Sequence, residues 1–352
     1  CRNIRQSWRV SRMSLTPKKP IPEGAIRYNT DSNKMELWNG QKWMIVSMIH
    51  QGSPIAGRGI WGGGLQGPNA SPYSTNIIDM ITIQTKGNAV DFGDTTLLKG
   101  QSAGCGDRTR GLFIGGYWPS ASNAIDFITF ATQGDSQDFG DTIETVGKRG
   151  AFNNSTRGVV GGGGQDAPSP YGTTNVTEFV TIQSKGNGTD FGDLTAARDR
   201  TAGAASPTRG VIFQGYSAPA PVSVFDFFTT ATTGNAVDFG DPTQAASMGD
   251  ATGNNIKGLY FGGGNPGVTT IEEITFSTTG NAVVFGDMPL GGRGGGGAAD
   301  ATRAVMGRGI SSTNENNLFY ISIATRGNAV DFGDLTIRKG MASGTSNTNG
   351  GL

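Results

Sequence analysis

Cysteine, histidine and long apolar runs are scarce in this 352-residue chain. The two cysteines, Cys1 and Cys105, cannot build a disulfide framework or a cysteine-based zinc site. The single histidine, His50, excludes a histidine-based metal centre and weakens the case for acid–base catalysis. The longest apolar run, residues 43–49, is interrupted by Ser47 and is far shorter than the roughly 20 residues that span a membrane. We therefore expect no membrane span.

Charge is also sparse, and it is unevenly distributed. Charged residues make up 16% of the chain, and the formal net charge is zero. Residues 1–49 hold nine basic and three acidic side chains, which gives +6, so the rest of the chain carries −6. A basic arm on an acidic body is typical of an arm that docks on a negative surface, although a solvated tail has the same composition. The negative body argues against nucleic acid as its main ligand.

The N-terminal residues predict no secretory signal, because no apolar segment follows the basic ones. Met13 is a candidate translation start.

Glycine, by contrast, is abundant. The chain has 58 glycines, while hydrophobic residues reach only 35%. Glycine shows no three-residue period, which excludes a collagen-like helix. A chain of this composition can bury a core only when small residues hold many short strands close together, so it predicts an all-β fold.

An eight-residue block occurs six times and predicts the architecture. The copies begin every 46 to 52 residues, a period typical of propeller blades. The first copy is Gly87-Asn88-Ala89-Val90-Asp91-Phe92-Gly93-Asp94, and the others begin at Gly134, Gly186, Gly234, Gly280 and Gly327.

Each repeat divides into four strand-sized pieces. A basic residue lies sixteen positions after the final Asp of five copies, and it begins an apolar, glycine-rich strand such as the one at Arg110. A small residue lies ten positions after the final Asp of all six, as an innermost strand beside a crowded channel requires. The first such apolar strand, at Arg58, has no clear strand before it. We therefore expect a C-terminal strand within 339–347 to complete the first blade and close a six-bladed ring.

This arrangement resembles the kelch repeat. Leu194-Thr195-Ala196-Ala197-Arg198 matches the "Leu-Thr-x-x-Arg" sequence that ends kelch strands, and residues 335–338 carry a shortened form of it. The resemblance covers residues 52–352, with Phe where kelch strands usually carry Trp. It implies a kelch-like β-propeller but no particular function, because such propellers serve enzymes, adaptors and adhesins.

The N-terminal residues form a separate module. Residues 1–24 predict an extended basic arm, and residues 25–49 predict a small β-meander with a hairpin at Asn39-Gly40. The stretch 24–43 resembles a module of bacteriophage tail-fibre proteins, and the tandem blades resemble structural proteins of marine phages. The resemblance implies a virion component: a fibre, a capsid-surface protein or a host-binding knob. The +6 charge of the arm and the tryptophans that so small a sheet cannot bury favour assembly with other virion proteins and with further copies of this chain. The residues predicted to anchor the assembly are Trp8, Arg9, Arg12, Lys18, Lys19, Trp38 and Trp43.

The repeated acidic residues allow two interpretations. Asp91-Phe92-Gly93 matches the metal-binding motif of protein kinases, but it recurs in the repeats and lacks the kinase partners. The carboxylates could also bind Ca²⁺, yet Val284 replaces one of them in the fifth repeat. The glycine clusters at 161–164 and 294–297 lack the setting of a phosphate loop. We predict structural roles for these residues, and no metal or cofactor.

The connection between the second and third strands varies in length. From the basic residue to the acidic position of the third strand the spacing ranges from 15 to 21 residues, while the other segments are nearly constant. Variable loops of repeat proteins often form one binding face, and aromatic side chains suit sugar rings. The alternative is that the loops drift in length and their aromatics cap the core. The candidate ligand-binding residues are Tyr73, Tyr117, Trp118, Tyr171 and Tyr216.

Together these features favour a non-enzymatic structural protein of a virion, assembled in the host cytoplasm. Its N-terminal module attaches it to a particle or fibre, and its propeller binds a host surface glycan. Two alternatives stay open. A carbohydrate-active propeller enzyme predicts acidic side chains with perturbed pKa values at the channel mouth. An intracellular kelch-type scaffold would usually carry a further interaction domain.

Overall fold

The computed structural model describes residues 21–30, 34–45, 57–67, 73–118, 120–165, 172–264 and 267–348. The chain divides into two compact units, Cys1–Pro54 and Ile55–Leu352. The described residues contain strands and no helix, which confirms the all-β prediction. None of them therefore forms a helix that could cross a membrane.

The first unit contains a three-stranded antiparallel sheet. Its strands are β1 (Ile26–Asn29), β2 (Lys34–Trp38) and β3 (Trp43–Ile45), hydrogen-bonded in that order. The hairpin between β2 and β3 is held by Asn39, whose Oδ1 accepts hydrogen bonds from the amides of Gln41 and Lys42 at 3.1 and 2.8 Å. Gly40 next to it has φ of +87°, a conformation that glycine adopts readily.

The second unit contains six four-stranded antiparallel sheets among its described residues. We number the sheets 1 to 6 along the chain and call the strands of each sheet first to fourth, in hydrogen-bonded order. The C-terminal strand is the first strand of sheet 1, where Ser343 is in register with Gly62. The strands are, in sheet 1, β31 (Ser343–Ser346), β4 (Arg58–Gly62), β5 (Ile77–Thr82) and β6 (Val90–Asp94); in sheet 2, β7 (Ala103–Gly106), β8 (Arg110–Gly116), β9 (Ser122–Thr129) and β10 (Gln137–Asp141); in sheet 3, β11 (Gly150–Asn153), β12 (Arg157–Gly161), β15 (Val176–Thr181) and β16 (Thr189–Asp193); in sheet 4, β17 (Gly203–Ala205), β18 (Arg209–Ile212), β21 (Phe225–Thr229) and β22 (Val237–Gly240); in sheet 5, β23 (Asp250–Gly253), β24 (Lys257–Phe261), β25 (Thr270–Thr275) and β26 (Val283–Asp287); and in sheet 6, β27 (Gly297–Ala299), β28 (Arg303–Gly307), β29 (Asn317–Ser322) and β30 (Val330–Asp334).

Two short hairpins lie in connections between second and third strands. In sheet 3 the hairpin pairs β13 (Gly164–Gln165) with β14 (Gly172–Thr173). In sheet 4 it pairs β19 (Gly215–Ser217) with β20 (Ala220–Val222).

The six first strands contact one another in cyclic order. β31 contacts β7, and the contacts continue through β11, β17, β23 and β27 back to β31. Small residues permit this approach. A Cβ atom on Gly104 or Gly344 would lie less than 3.0 Å from backbone atoms of the neighbouring first strand.

The hydrophobic core is divided among six clusters, each made by two neighbouring sheets. In the cluster of sheets 1 and 2, Ile60, Ile78 and Phe92 pack with Phe113 and Phe130. Sheets 6 and 1 share a cluster in the same way. Every cluster contains the phenylalanine of one copy of the repeated block, which explains why this residue occurs in all six copies. These residues are Phe92, Phe139, Phe191, Phe239, Phe285 and Phe332.

The remaining residues of the block join each sheet to the next. The amide of Gly134 donates a hydrogen bond to the carbonyl of Phe92, and the amide of Ser136 donates to the carbonyl of Asp94, both at 2.8 Å. The carboxylate of Asp135 accepts from the amide of Asp94 at 2.9 Å. Equivalent bonds link all six pairs of neighbouring sheets, including sheets 6 and 1. The block is thus a recurring set of hydrogen bonds between sheets, repeated along the chain.

A buried ion pair fastens the connection before the first strand in sheets 1 to 4. In sheet 4, Asp226 on the third strand accepts hydrogen bonds from the amide and hydroxyl of Thr195 at 3.0 and 2.7 Å. The guanidinium of Arg198 lies 2.9 Å from the same carboxylate. The "Leu-Thr-x-x-Arg" sequence therefore holds the connection against the sheet that it enters.

Candidate ligand-binding face

The variable connections and the connections between sheets lie at one end of the second unit. In an antiparallel four-stranded sheet, the connection from the second to the third strand lies at the end where the fourth strand leaves. Isolated bridges join the two sets, as between Gly100 and Trp118 and between Asp199 and Tyr216. We call this region the variable-loop end.

The cavity between the first strands is too small for an organic ligand. Its volume is about 40 Å³, and glycine, alanine and short polar side chains line most of it. Cys105 lies in this lining, and burial raises the pKa of its thiol to about 12. A thiol with so high a pKa is not a nucleophile at neutral pH.

A second pocket, the end pocket, lies where the connections enter the first strands. It has a volume of about 60 Å³. The residue seven positions after the final Asp of each repeated block has a left-handed backbone, and five of these six residues are not glycine. Such strained conformations often cluster at functional sites. The six residues, all of which line the pocket, are Gln101 (φ 58°), Lys148 (61°), Arg200 (56°), Met248 (64°), Gly294 (62°) and Met341 (54°).

Charge is distributed unequally around the end pocket. On one side, Lys148 Nζ and Arg200 Nε each lie 3.8 Å from Oδ2 of the buried Asp199. On the other side the lining includes Met248 and Met341. The pocket therefore has a cationic side and an apolar side.

Asp250 is the only acidic residue among the described residues that line the end pocket. Its Oδ2 accepts a hydrogen bond from the amide of Gly295 at 2.6 Å, and burial raises the pKa of its carboxyl to about 6. Glycoside hydrolysis typically needs two carboxyl groups on either side of the scissile bond. The described lining of the end pocket supplies one such group.

Three of the predicted ligand-binding aromatics lie together at the variable-loop end. The ring of Trp118 lies edge-on to that of Tyr73, with centroids 5.6 Å apart, and edge-on to that of Tyr117 at 5.5 Å. Tyr73 and Trp118 remain 36% and 38% exposed. Lys148 Nζ lies 4.4 Å from the centroid of the Tyr117 ring. These residues form a partly exposed aromatic cluster next to the cationic side of the pocket.

A fourth predicted aromatic, Tyr216, has a different partner. Tyr216 lies in the hairpin of sheet 4, where the guanidinium of Arg200 lies 4.6 Å from its ring centroid. Tyr171 lies outside the described residues.

Two of the predicted anchor residues of the first unit lie within the described part of the chain. Trp38 and Trp43 are cross-strand partners with ring centroids 5.4 Å apart. The guanidinium of Arg27 lies 4.1 Å from the Trp43 ring and pairs with Glu36 at 2.8 Å, and hydrogen bonds from Asn29 and Arg27 lower the pKa of the Glu36 carboxyl. The other predicted anchors, Trp8, Arg9, Arg12, Lys18 and Lys19, lie outside the described residues.

The opposite face of this small sheet is more exposed than the tryptophans. It presents Ile26, Tyr28 and Met44, which are 61%, 57% and 43% exposed. The alternation of side chains along the strands indicates this face in the sequence, but the predicted anchor residues Trp38 and Trp43 lie on the other face.

The acidic residues of the repeated block lie at the outer rim of the sheets. Asp94, Asp135 and Asp91 are close enough to interact: partial burial and then the charges of Asp135 and Asp91 raise the pKa of the Asp94 carboxyl. No group of three or more His, Cys, Asp or Glu side chains in the described part of the chain is arranged to hold a metal ion.

The residues of the end pocket were not predicted from the sequence. Only their position in the repeat could have indicated them, since all six left-handed residues lie seven positions after the final Asp of a repeated block. Their side chains differ too much to form a motif. No known protein-family model matches this sequence, and no curated protein is significantly similar to it.

Proposed function

We propose that the second unit is a six-bladed, kelch-like β-propeller. Three cyclic sets of contacts support the proposal: the contacts of the first strands, the hydrophobic clusters and the hydrogen bonds of the repeated block. Each set includes sheets 6 and 1. The C-terminal strand β31 contributes to sheet 1, so the two ends of the unit meet in one sheet.

We further propose that the chain is a non-enzymatic structural protein of a virion whose variable-loop end binds a glycan of the host surface. The observation that carries this proposal is the partly exposed cluster of Tyr73, Trp118 and Tyr117. Sugars stack on aromatic rings of this kind, and the neighbouring polar side chains supply hydrogen bonds. The framework that presents the cluster is constant from repeat to repeat, so the loops can vary without loss of the fold.

The first unit supplies the attachment in this proposal. A sheet of three strands becomes stable when it buries a hydrophobic face. The exposed side chains of Ile26, Tyr28 and Met44 favour a contact with another protein, either a further copy of the chain or another virion component.

Binding to immobilised glycans tests the ligand. The full chain is screened against a panel of neutral and acidic glycans, and the best binder is titrated by calorimetry. Trp118→Ala and Tyr73→Ala should each weaken its binding about tenfold, the loss of about 1.4 kcal/mol. Ile256→Ala, which removes an exposed side chain from the turn between β23 and β24, is the control and should bind as the wild type does. Absence of binding, or equal binding by Trp118→Ala, would overturn the glycan proposal.

Light scattering tests the attachment. We expect the full chain to form a defined oligomer, and the double variant Ile26→Asp/Met44→Asp to dissociate it. Trp118→Ala should leave the oligomer intact. A monomeric wild type would exclude self-assembly and direct attention to a different virion protein as the partner.

A further inference from the structure

Among the described residues, five third strands carry a buried acid at one equivalent position, and four of these acids have a cation as partner. In sheets 1 to 4 a lysine or arginine nitrogen lies 2.8 or 2.9 Å from the carboxylate. In sheet 5 the acid is Glu272, which is only 2% exposed. The position that Arg198 and Lys339 occupy in their repeats is Ala246 in this one. The pairs of sheets 1 to 4 are Lys339–Asp79, Lys99–Asp126, Arg149–Glu178 and Arg198–Asp226.

Two further differences from sheets 1 to 4 accompany the absence of a cation beside Glu272. The fourth-strand residue in register with the buried acid is an aspartate in sheets 1 to 4, but Val284 faces Glu272. Gln214 in sheet 4 lies at the position where sheets 1 to 3 carry Gly63, Gly115 and Gly162. Its Oε1 accepts a hydrogen bond from the amide of Ala246 at 2.8 Å. Compared with the equivalent sites of sheets 1 to 4, the site in sheet 5 therefore has a buried carboxyl group but neither the cation nor the fourth-strand aspartate.

The groups around Glu272 supply hydrogen bonds but no positive charge. From the connection, the amide of Thr243 donates to Oε1 at 2.7 Å, its hydroxyl also donates to Oε1, and the amide of Gln244 faces the carboxyl. From β24 the facing residue is Tyr260, whose phenol pKa is raised by burial and by the charges of Asp250 and Glu272.

In the described part of the chain, no lysine or arginine nitrogen pairs with Glu272, whereas the four equivalent acids each have such a partner. Burial accordingly raises the pKa of its carboxyl.

We propose that Glu272 is a proton-dependent lock on the connection 242–249. The neutral carboxyl holds Thr243 as the ion-paired carboxylates hold the threonines of sheets 1, 2 and 4. Ionisation places in the interior a charge that the donors of Thr243 and Gln244 offset only in part, since they lower the pKa of the Glu272 carboxyl less than burial raises it. The remaining cost falls when the connection opens and water reaches the carboxylate, so ionisation loosens the connection. The connection contains Met248 and leads directly into Asp250, and both residues line the end pocket. The proton on Glu272 therefore also controls the shape of that pocket.

The direction of the pH effect follows from linkage. A carboxyl whose pKa is raised on folding takes up its proton more tightly in the folded state. The stability is therefore fully present below the unfolded pKa, near 4.5, and falls as the pH rises towards the folded pKa. Asp250 acts in the same direction, so the test compares variants with the wild type at each pH.

Thermal unfolding of the full chain between pH 4 and 9 tests the lock. Glu272→Gln, which mimics the protonated form, should match the wild type near pH 4 and melt about 2–4 °C higher at pH 8. The double variant Ala246→Lys/Gln214→Gly supplies the missing cation and should show the same rise. The matched control Asp226→Asn removes an acid that has a cation, and it should melt lower at pH 8. A Glu272→Gln effect that is independent of pH, or a loss at pH 8, would overturn the proposal.

Hydrogen exchange locates the effect. After correction for intrinsic rates, peptides covering 242–250 should lose protection in the wild type between pH 5 and pH 8 and keep it in Glu272→Gln. Peptides covering the equivalent connection 194–203 should not change in either protein. Equal changes in both connections, or none in either, would contradict the lock. Neither readout involves a glycan, so the result is independent of the proposed ligand.

Discussion

The ammonium group of Lys339 lies 2.9 Å from Oδ2 of Asp79, and both side chains are fully buried. Lys339 also donates hydrogen bonds to the carbonyls of Trp61 and Ile77 at 3.1 and 2.8 Å. This pair joins the connection before the C-terminal strand to the first sheet of the unit. Burial lowers the pKa of Lys339, and the charge of Asp79 opposes that shift.

Lys339→Met should destabilise the protein by about 3–5 kcal/mol, because it leaves the carboxylate of Asp79 buried without a counter-charge. Urea unfolding measures the loss. The double variant Lys339→Met/Asp79→Leu should regain most of it, since an apolar pair of similar volume can replace a buried ion pair. Arg338→Met, an exposed neighbour, is the control and should change the stability by less than about 0.5 kcal/mol. A loss as small as that of the control would show that the pair contributes little.

Two glycines that meet between sheets 5 and 6 should respond differently to alanine. A Cβ atom on Gly286 would lie less than 3.0 Å from the backbone of Gly327, whereas a Cβ on Gly327 would have no atom within 4 Å. We therefore expect Gly286→Ala to cost about 1–3 kcal/mol and Gly327→Ala to be nearly neutral. Chemical denaturation of both variants measures the difference. Equal effects would mean that Gly286 of β26 and the turn at Gly327 are not in close contact.

Asp135→Asn should raise the stability at neutral pH. Asp135 occupies the position where the other five blocks carry asparagine, and its charge contributes to the raised pKa of Asp94. A carboxyl with a raised folded pKa costs stability above its unfolded pKa, near 3.8, so the gain should appear above pH 4 and vanish below it.

Melting curves across pH and an NMR titration of Asp94 check this prediction. In the Asp135→Asn variant, the oxygen of the new side-chain amide can still accept the hydrogen bond from the backbone amide of Asp94. Asp138→Asn, an exposed neighbour outside this contact, is the control. A gain that persists at pH 3 would point to a cause other than charge repulsion.

Trp61→Phe should destabilise the contact between sheets 1 and 6. The indole of Trp61 is fully buried and donates a hydrogen bond to the carbonyl of Gly295 at 3.0 Å. Loss of this bond leaves the carbonyl without its partner, at a cost of about 1–3 kcal/mol. Equilibrium unfolding measures the cost, and hydrogen exchange of residues 294–299 should rise with it. An unchanged exchange rate there would show that another part of the structure holds the two sheets together.

The repeated block illustrates how much of the fold the sequence predicts. Alternating β-branched residues, Gly-Asn turns and a phenylalanine in each copy indicate strands, their spacing and one buried residue per repeat. Local rules suffice here, because strand alternation and turn chemistry act over a few residues. The small residues ten positions after each Asp likewise indicate close packing of the first strands, as at Gly104 and Gly344.

The sequence alone does not predict which residues these side chains contact. The "Leu-Thr-x-x-Arg" sequence identifies a resemblance, but not the aspartate that Thr195 and Arg198 hold. The missing cation at Glu272 becomes visible only when the equivalent sites of five sheets are compared in space. The aromatic loops show a similar limit, because Tyr73, Tyr117 and Trp118 come together while Tyr216 packs against Arg200.

The sequence by itself determined the all-β class, the period of the repeat and the residues that must be small or buried. These properties depend on backbone preferences and on hydrophobic patterns that each repeat carries within its own length. Only the tertiary structure decided which charges are compensated, which aromatics form a surface and which backbone positions are strained at the end pocket. Those properties arise where neighbouring sheets meet, between residues that are distant along the chain.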